Sequence, residues 1–195
     1  MRHSMIAAAV LALGCSPAFA SDLPSLHPSR DVAVVYHADG TAEAGGVSQS
    51  HTIRMFWGEA GQALRVEFDA QPIVALIDFK RQRMEMLIGS RQMVLETKLD
   101  PTLVPGFVLP TGAKAVRAGT DTVAGLGCTV WRLTGPRGSG AACITEDGVV
   151  LRAEGKAERG SGRLEAVSVT YAPQAASLFA PPAGFARMDL QHLRR

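Results

Sequence analysis

The chain has 195 residues, with 20 basic and 18 acidic side chains and a formal net charge of +2. So small an excess, spread along the chain, excludes the electrostatic footprint of a nucleic-acid-binding protein. Apolar residues make up 47% of the chain, which is enough for a domain with its own core. We therefore predict one globular domain and no nucleic-acid partner.

The N-terminus has the pattern of an export signal. Residues 5–14 are apolar but too few to span a bilayer, and residues 18–20 form an A-x-A cleavage site. Cleavage after Ala20 predicts a soluble periplasmic protein that consists of one β domain, residues 21–195. A minor alternative is a lipid anchor at Cys15, although the residues before it are in the wrong order for a lipoprotein signal.

The rest of the chain predicts about eleven short strands, mostly joined by tight turns. They cover residues 31–37, 48–57, 63–68, 72–79, 83–88, 92–97, 114–118, 128–134, 141–145, 149–154 and 163–171. Residues 72–79 are almost continuously apolar, so both faces of that strand are expected to be covered. Residues 155–162 are polar and glycine-rich, which predicts a loop. Because strands do not alternate with helices, the predicted class is all-β with antiparallel neighbours.

The strand pattern breaks at residues 99–111. Three prolines in this segment exclude a central strand, yet Phe107 and its neighbours are apolar and need burial. We predict a short helix and loop that covers the open side of the sheet, with Phe107 as its anchor. Packing on an edge or on the convex side is the alternative.

Signal removal leaves two cysteines, Cys128 and Cys143, and an even count in an exported chain predicts one disulfide. If the two face each other directly, Pro136 falls at the second central position of the turn, which proline fits poorly. We expect either a ladder bulged around residues 138–140 or a bridge between strands with a wider loop. A bridged cysteine has no thiolate, so catalysis at Cys143 is not expected.

No other constellation predicts catalysis or a cofactor. The chain has no G-x-S-x-G elbow for a hydrolase. A hairpin centred near Ala44 would bring His37 and His51 across from each other, and with Asp39 or Glu43 they would make a candidate metal site. Two histidines on a hairpin are more often surface residues. We therefore predict a protein that is not an enzyme, with no metal and no cofactor.

The whole predicted mature chain resembles the periplasmic lipoprotein-carrier superfamily of LolA/LolB-like half-barrels, and especially its uncharacterised exported relatives. The resemblance is carried by the export signal before about eleven strands, by GLGCTVWRL leading to a second cysteine, and by LFAPPAGF after the last strand. It implies a single strongly curved, half-open antiparallel sheet. It also implies a concave apolar face that lies under short helices and holds acyl chains.

The fold and the resemblance together predict a non-enzymatic periplasmic binding or carrier module for an apolar, lipid-like ligand, a role that fits peripheral membrane contact. The alternative is a structural or interaction protein of the envelope with the same fold and a filled core. Alternation along residues 63–68 and 83–88 places apolar side chains on one face. With the anchor, these are the predicted ligand-binding residues: Leu64, Val66, Phe68, Met84, Met86, Ile88 and Phe107.

Overall fold

The computed structural model of the protein describes residues 23–42, 49–69, 71–100, 112–136, 138–157 and 160–190. These residues form twelve strands and two short 3₁₀ turns, at Gly89–Arg91 and Ala176–Phe179. The strands are β1 Val32–Ala42, β2 Gln49–Gly58, β3 Ala63–Phe68, β4 Ile73–Asp78, β5 Arg83–Ile88, β6 Met93–Lys98, β7 Lys114–Val123, β8 Leu126–Gly135, β9 Gly138–Ile144, β10 Val150–Ala157, β11 Gly160–Tyr171 and β12 Ala186–Asp189. The predicted all-β class is confirmed, with one strand more than expected. Within the described ranges, no helix has the length and apolar character of a membrane span.

All twelve strands belong to one sheet, in the order β12-β6-β5-β4-β3-β2-β1-β11-β10-β9-β8-β7. Two antiparallel meanders, β1 to β6 and β7 to β11, are joined because β1 pairs with β11. The added strand β12 runs parallel to β6. Among the described strands, β6 is followed by β7, yet the two lie near opposite edges of the sheet.

The sheet curls strongly without closing. Cα atoms of β7 lie within 8 Å of Cα atoms of β11, although β10, β9 and β8 separate these strands. An ion pair between Arg152 on β10 and Asp121 on β7 spans the same curl. Among the described residues, β12 and β7 have no second partner strand and are open edges, so the predicted curved, half-open sheet is confirmed. The predicted lid falls largely on residues 101–111, which lie outside the described residues.

Apolar side chains of both meanders meet in one main core. Tyr36 and Trp57 are each 1% exposed there, and Leu64 is 0% exposed. Two smaller clusters lie elsewhere, one on β4 to β6 and one on β8 to β10. Leu76 and Ile77 are both buried but belong to different clusters, which confirms that both faces of β4 are covered.

The two meanders are also joined by an N-terminal strap, residues 23–30. Pro28 is fully buried. A side chain at Gly61 would place its Cβ 2.5 Å from the Pro28 carbonyl oxygen, and one at Gly148 would place its Cβ 2.4 Å from that of His27. The strap therefore passes between the β2–β3 turn and the β9–β10 turn, and it fits there because both turns have glycine, each with positive φ.

Asp147 anchors this strap. Its carboxylate accepts hydrogen bonds from Arg30 at 2.8 Å, from Thr145 at 2.5 Å and from Tyr171 at 3.1 Å. Burial alone would raise the pKa of Asp147, but these donors outweigh it and leave the pKa lowered. A carboxyl whose pKa is depressed by folding stabilises the protein above its unfolded-state pKa of about 4, and loses that contribution as the pH falls further.

We predict that the strap loosens below about pH 4, because protonation of Asp147 removes the negative charge that holds the Arg30 guanidinium. Amide hydrogen exchange of residues 23–30, followed from pH 6 to pH 3, measures this. Asp147→Asn is the control, since its strap should exchange faster at pH 6 and change less over the same pH range. Equal pH profiles for the two proteins would contradict the prediction.

The C-terminal tail covers another part of the sheet. The ring of Phe179 lies against Gly58, where an added Cβ would be 2.5 Å from a ring carbon. Arg65 donates a 3.0 Å hydrogen bond to the Leu178 carbonyl, and Phe185 packs on the cluster of β4 to β6. Arg187 on β12 then reaches the buried carboxylate of Glu85 at 3.0 Å. The segment LFAPPAGF, residues 178–185, therefore packs on the sheet and leads into β12.

The structure has the disulfide that the sequence predicts, between Cys128 on β8 and Cys143 on β9, with Cα atoms 5.4 Å apart. Both expected arrangements of the hairpin are wrong. Cys143 pairs with Val130 and Gly135 pairs with Gly138, so the ladder is regular and the two cysteines are diagonal neighbours on one face. Pro136 then takes the first central position of a two-residue turn, which suits its fixed φ.

Candidate ligand-binding site

The predicted apolar face exists, and its exposure changes along the strands. On β3, Leu64 is 0% exposed, Val66 is 6% and Phe68 is 39%. On β5, Met84 is 4% exposed, whereas Met86 and Ile88 are only half-buried. One end of this face is therefore packed core, and the opposite end is partly open.

The open end continues onto the neighbouring strands. Ile53 on β2 pairs with Phe68, and Ile73 on β4 pairs with Ile88, so these residues share a face. Ile53 and Ile73 are half-buried. We call this surface the apolar mouth; it consists of Ile53, Phe68, Ile73, Met86 and Ile88. The structure thus brings six of the seven predicted residues to one face, while Phe107 lies outside the described residues.

A second concavity crosses the other half of the sheet. This polar groove has a volume of about 780 Å³ and extends over β1, β11, β10, β9 and β8. It is lined by Asp39, Gly40, Arg132, Thr134, Ser139, Gly140, Ala141, Glu154, Gly155, Lys156, Ser161, Gly162 and Arg163. Sequence reasoning missed this groove. Charged residues at alternate positions of the late strands were a visible signal, but only the register shows that they form one row.

The charged row follows from strand pairing. Asp39 pairs with Arg163, Arg163 with Glu154, and Glu154 with Ala141, which pairs with Arg132. Paired residues of antiparallel strands share a face, so the row crosses five strands. Arg163 is 3.6 Å from Glu154 and is also paired with Glu165, and His37 is 3.3 Å from Asp39.

A line of glycines runs beside the charged row. Gly40, Gly162, Gly155 and Gly140 pair in succession across four strands. The approach is closest at Gly140, where an added Cβ would lie 2.3 Å from the Glu154 carbonyl oxygen. Because the obstructing atom belongs to the backbone, β9 and β10 leave no room there for a side chain.

We therefore expect Gly140→Ala to lower the free energy of unfolding by about 1–3 kcal/mol, as overpacking does. Gly127→Ala on β8 is the matched control, since nothing lies within 4 Å of its added Cβ, and a change within about 0.5 kcal/mol is expected. Urea denaturation of the two variants measures the difference. Equal stability of both would show that the close approach at Gly140 is unimportant.

The histidine pairing predicted from the hairpin is wrong. His37 pairs with Thr52 and His51 pairs with Ala38, so the register differs by one residue and the two rings project from opposite faces. His51 instead lies 4.0 Å from Asp69. In the part of the chain that the structure describes, no three His, Cys, Asp or Glu residues are grouped as metal ligands would be.

The strand order and these two surfaces define an open, curved antiparallel half-barrel, which is the architecture that the sequence predicts. An uncharacterised conserved protein from Thermus thermophilus is similar, with a TM-score of 0.55 and 13% identity over 83% of this chain and 91% of that chain. This similarity shows the shared fold. No protein-family model and no curated protein matches the chain.

Two further solved structures are more distant. A chain of the Pseudomonas aeruginosa MucA/MucB complex has a TM-score of 0.48 and 17% identity over 78% of this chain and 56% of that chain. A LolA superfamily protein from Nitrosomonas europaea has a TM-score of 0.44 and 9% identity over 78% of this chain and 91% of that chain. Both TM-scores are below 0.5, and no conclusion about function rests on them.

Proposed function

We propose that the protein is a non-enzymatic, periplasmic binding or carrier module for an apolar, lipid-like ligand. The observation that carries this proposal is the apolar mouth. It extends the packed core face, and its residues are apolar although they are partly accessible to solvent. Phe68, at 39% exposure, marks this transition. Adjoining apolar side chains that remain accessible are typical of surfaces that bind apolar partners.

The path of the chain supports a gate over this mouth. Leu99 packs against the main core, and its N–H donates a 2.8 Å hydrogen bond to the Gln82 carbonyl. The next described strand, β7, is the opposite edge strand of the sheet. We propose that residues 101–111 cross the open side between these points, and that Phe107 contacts the mouth.

The alternative function is a structural or interaction protein of the envelope. The observation in its favour is that Leu64, Val66 and Met84 are nearly inaccessible, so part of the apolar face is already filled. The two functions differ in whether the remaining mouth accepts a ligand. A small-molecule site usually has a volume of about 300–1,000 Å³ and a mostly apolar lining.

Native mass spectrometry of protein purified from periplasm tests the proposal. We expect an adduct with the mass of a lipid, which organic extraction removes and re-addition of the extract restores. A mass equal to that of the unliganded chain, in protein that also fails to take up added lipid, would contradict a carrier and favour the structural role.

We predict that Phe107→Ala raises the binding of an environment-sensitive apolar dye. An aromatic anchor contributes about 1.5–3 kcal/mol when it is buried, so its removal should shift the gate toward an open state. Fluorescence titration of the folded variant against the unmodified protein measures the change.

Phe185→Ala is the matched control, since Phe185 packs on the cluster of β4 to β6 rather than on the main core. Its dye binding should stay at the level of the unmodified protein. Unchanged binding by Phe107→Ala, or an equal increase in both variants, would count against a gate at residue 107.

A further inference from the structure

We propose that the polar groove is a second binding site, which takes a phosphate group between Arg132 on β8 and Lys156 on β10. Thr134 pairs with Ser139, and Ser139 pairs with Lys156, so these three side chains share one face. Arg132 is two residues before Thr134 on β8 and therefore lies on the same face. Strand β9 lies between the cations. Since neighbouring strands are about 4.8 Å apart, the two backbones are roughly 10 Å apart across the sheet.

The charge distribution of the groove favours an anion. Its lining has three cations, Arg132, Lys156 and Arg163, and two carboxylates, Asp39 and Glu154, which leaves one net positive charge. The Glu154 carboxylate is 3.6 Å from Arg163. Among the described residues, Arg132 and Lys156 form no such ion pair, and both are exposed. The positive charge that remains uncompensated is therefore located where β8 and β10 flank β9.

The floor between these cations has room for a ligand. Ala141 is the only uncharged residue in the row from Asp39 to Arg132, and its side chain is a single methyl group. The volume of about 780 Å³ exceeds what a single anion needs. A headgroup or a small phosphorylated molecule would therefore fit together with its phosphate.

The donors favour phosphate over a carboxylate. A guanidinium offers a planar fork of N–H groups, an ammonium offers three donors, and each hydroxyl offers one. A tetrahedral phosphate has oxygens for donors from several directions, whereas a planar carboxylate has only two. The phosphate can belong to a free small molecule or to a lipid headgroup, because both present the same group to these side chains.

Isothermal titration calorimetry with glycerol 3-phosphate tests for a free phosphate compound, and co-sedimentation with phosphatidic acid vesicles tests for a lipid headgroup. We expect saturable binding in at least one assay. Arg132→Gln and Lys156→Gln should each weaken it about tenfold, because each removes a charge-assisted hydrogen bond. Binding of glycerol 3-phosphate identifies the free compound as a ligand, and binding of vesicles alone identifies the headgroup.

Arg54→Gln is the matched control, because Arg54 is an exposed cation on β2 outside the groove. Its binding should equal that of the unmodified protein, and phosphatidylcholine vesicles should bind far less than phosphatidic acid vesicles. Circular dichroism establishes that all variants are folded. The proposal is overturned by absence of binding in both assays, by full binding in the Arg132→Gln/Lys156→Gln double variant, or by an equal loss in Arg54→Gln.

Discussion

Leu64→Ala is expected to lower the free energy of unfolding by about 2–5 kcal/mol, the usual cost of truncating a fully buried leucine. Leu64 is 0% exposed and lies in the middle of the main core, between Trp57 on β2 and Ile77 on β4. Truncation therefore leaves a cavity beside these two neighbours, because the surrounding side chains relax only partly into the space. Urea denaturation, with the slope of the transition compared between variants, measures this loss.

Phe68→Ala separates core packing from ligand binding on the same strand. Phe68 is 39% exposed, so its truncation should cost much less stability than that of Leu64. If the apolar mouth binds a lipid-like ligand, Phe68→Ala should instead weaken the retention of that ligand in native mass spectra. A large loss of stability without any change in retention would place Phe68 in the core and contradict its role in the mouth.

Replacing both Cys128 and Cys143 with serine is expected to lower the free energy of unfolding by about 2–4 kcal/mol. The bridge closes a chain segment whose ends are separated by 15 positions, and it joins β8 to β9 inside the main core. Its loss raises the conformational entropy of the unfolded chain, which favours unfolding. The substitutions also place two hydroxyl groups among apolar side chains. The ladder around it remains, so the fold should persist.

Guanidinium denaturation with and without a reducing agent measures this contribution. The reduced unmodified protein should approach the double variant in stability, and the variant itself should not respond to reductant. Alkylation and mass measurement show whether the bridge has opened. If the bridge is open and the denaturation midpoint has not moved, the disulfide does not stabilise this fold.

The order of apolar and polar residues within a single strand predicted the strand boundaries and the covered faces well. The boundaries of β3 and β5 are those predicted. Apolar and polar residues alternate strictly there, and a period of two residues indicates a strand rather than a helix. The continuous apolar run of β4 correctly indicated two covered faces. Residues 155–162 were assigned to a loop because glycine disfavours strands. There the prediction was wrong, since β10 extends to Ala157 and β11 begins at Gly160.

Pairing between strands was less predictable. The β1–β2 register differs by one residue from the predicted one, which puts His37 and His51 on opposite faces. The β8–β9 register differs by two residues from one that would pair the cysteines directly, so the cysteines are diagonal neighbours. Strand β12 escaped prediction because its four residues are all exposed and have no apolar alternation. It forms because Phe185 is anchored nearby and Arg187 reaches Glu85.

The sequence by itself determined the all-β class, most of the strands, the cysteine pair and the apolar side of β3 and β5. Each of these depends on residue type and spacing within one strand or on a simple count. Only the tertiary structure decided which end of the apolar face is packed and which is open, and that Arg132, Glu154 and Arg163 line one groove. Those features depend on the register and curl of strands that are distant in sequence, and the close approach at Gly140 arises only when β9 and β10 are paired.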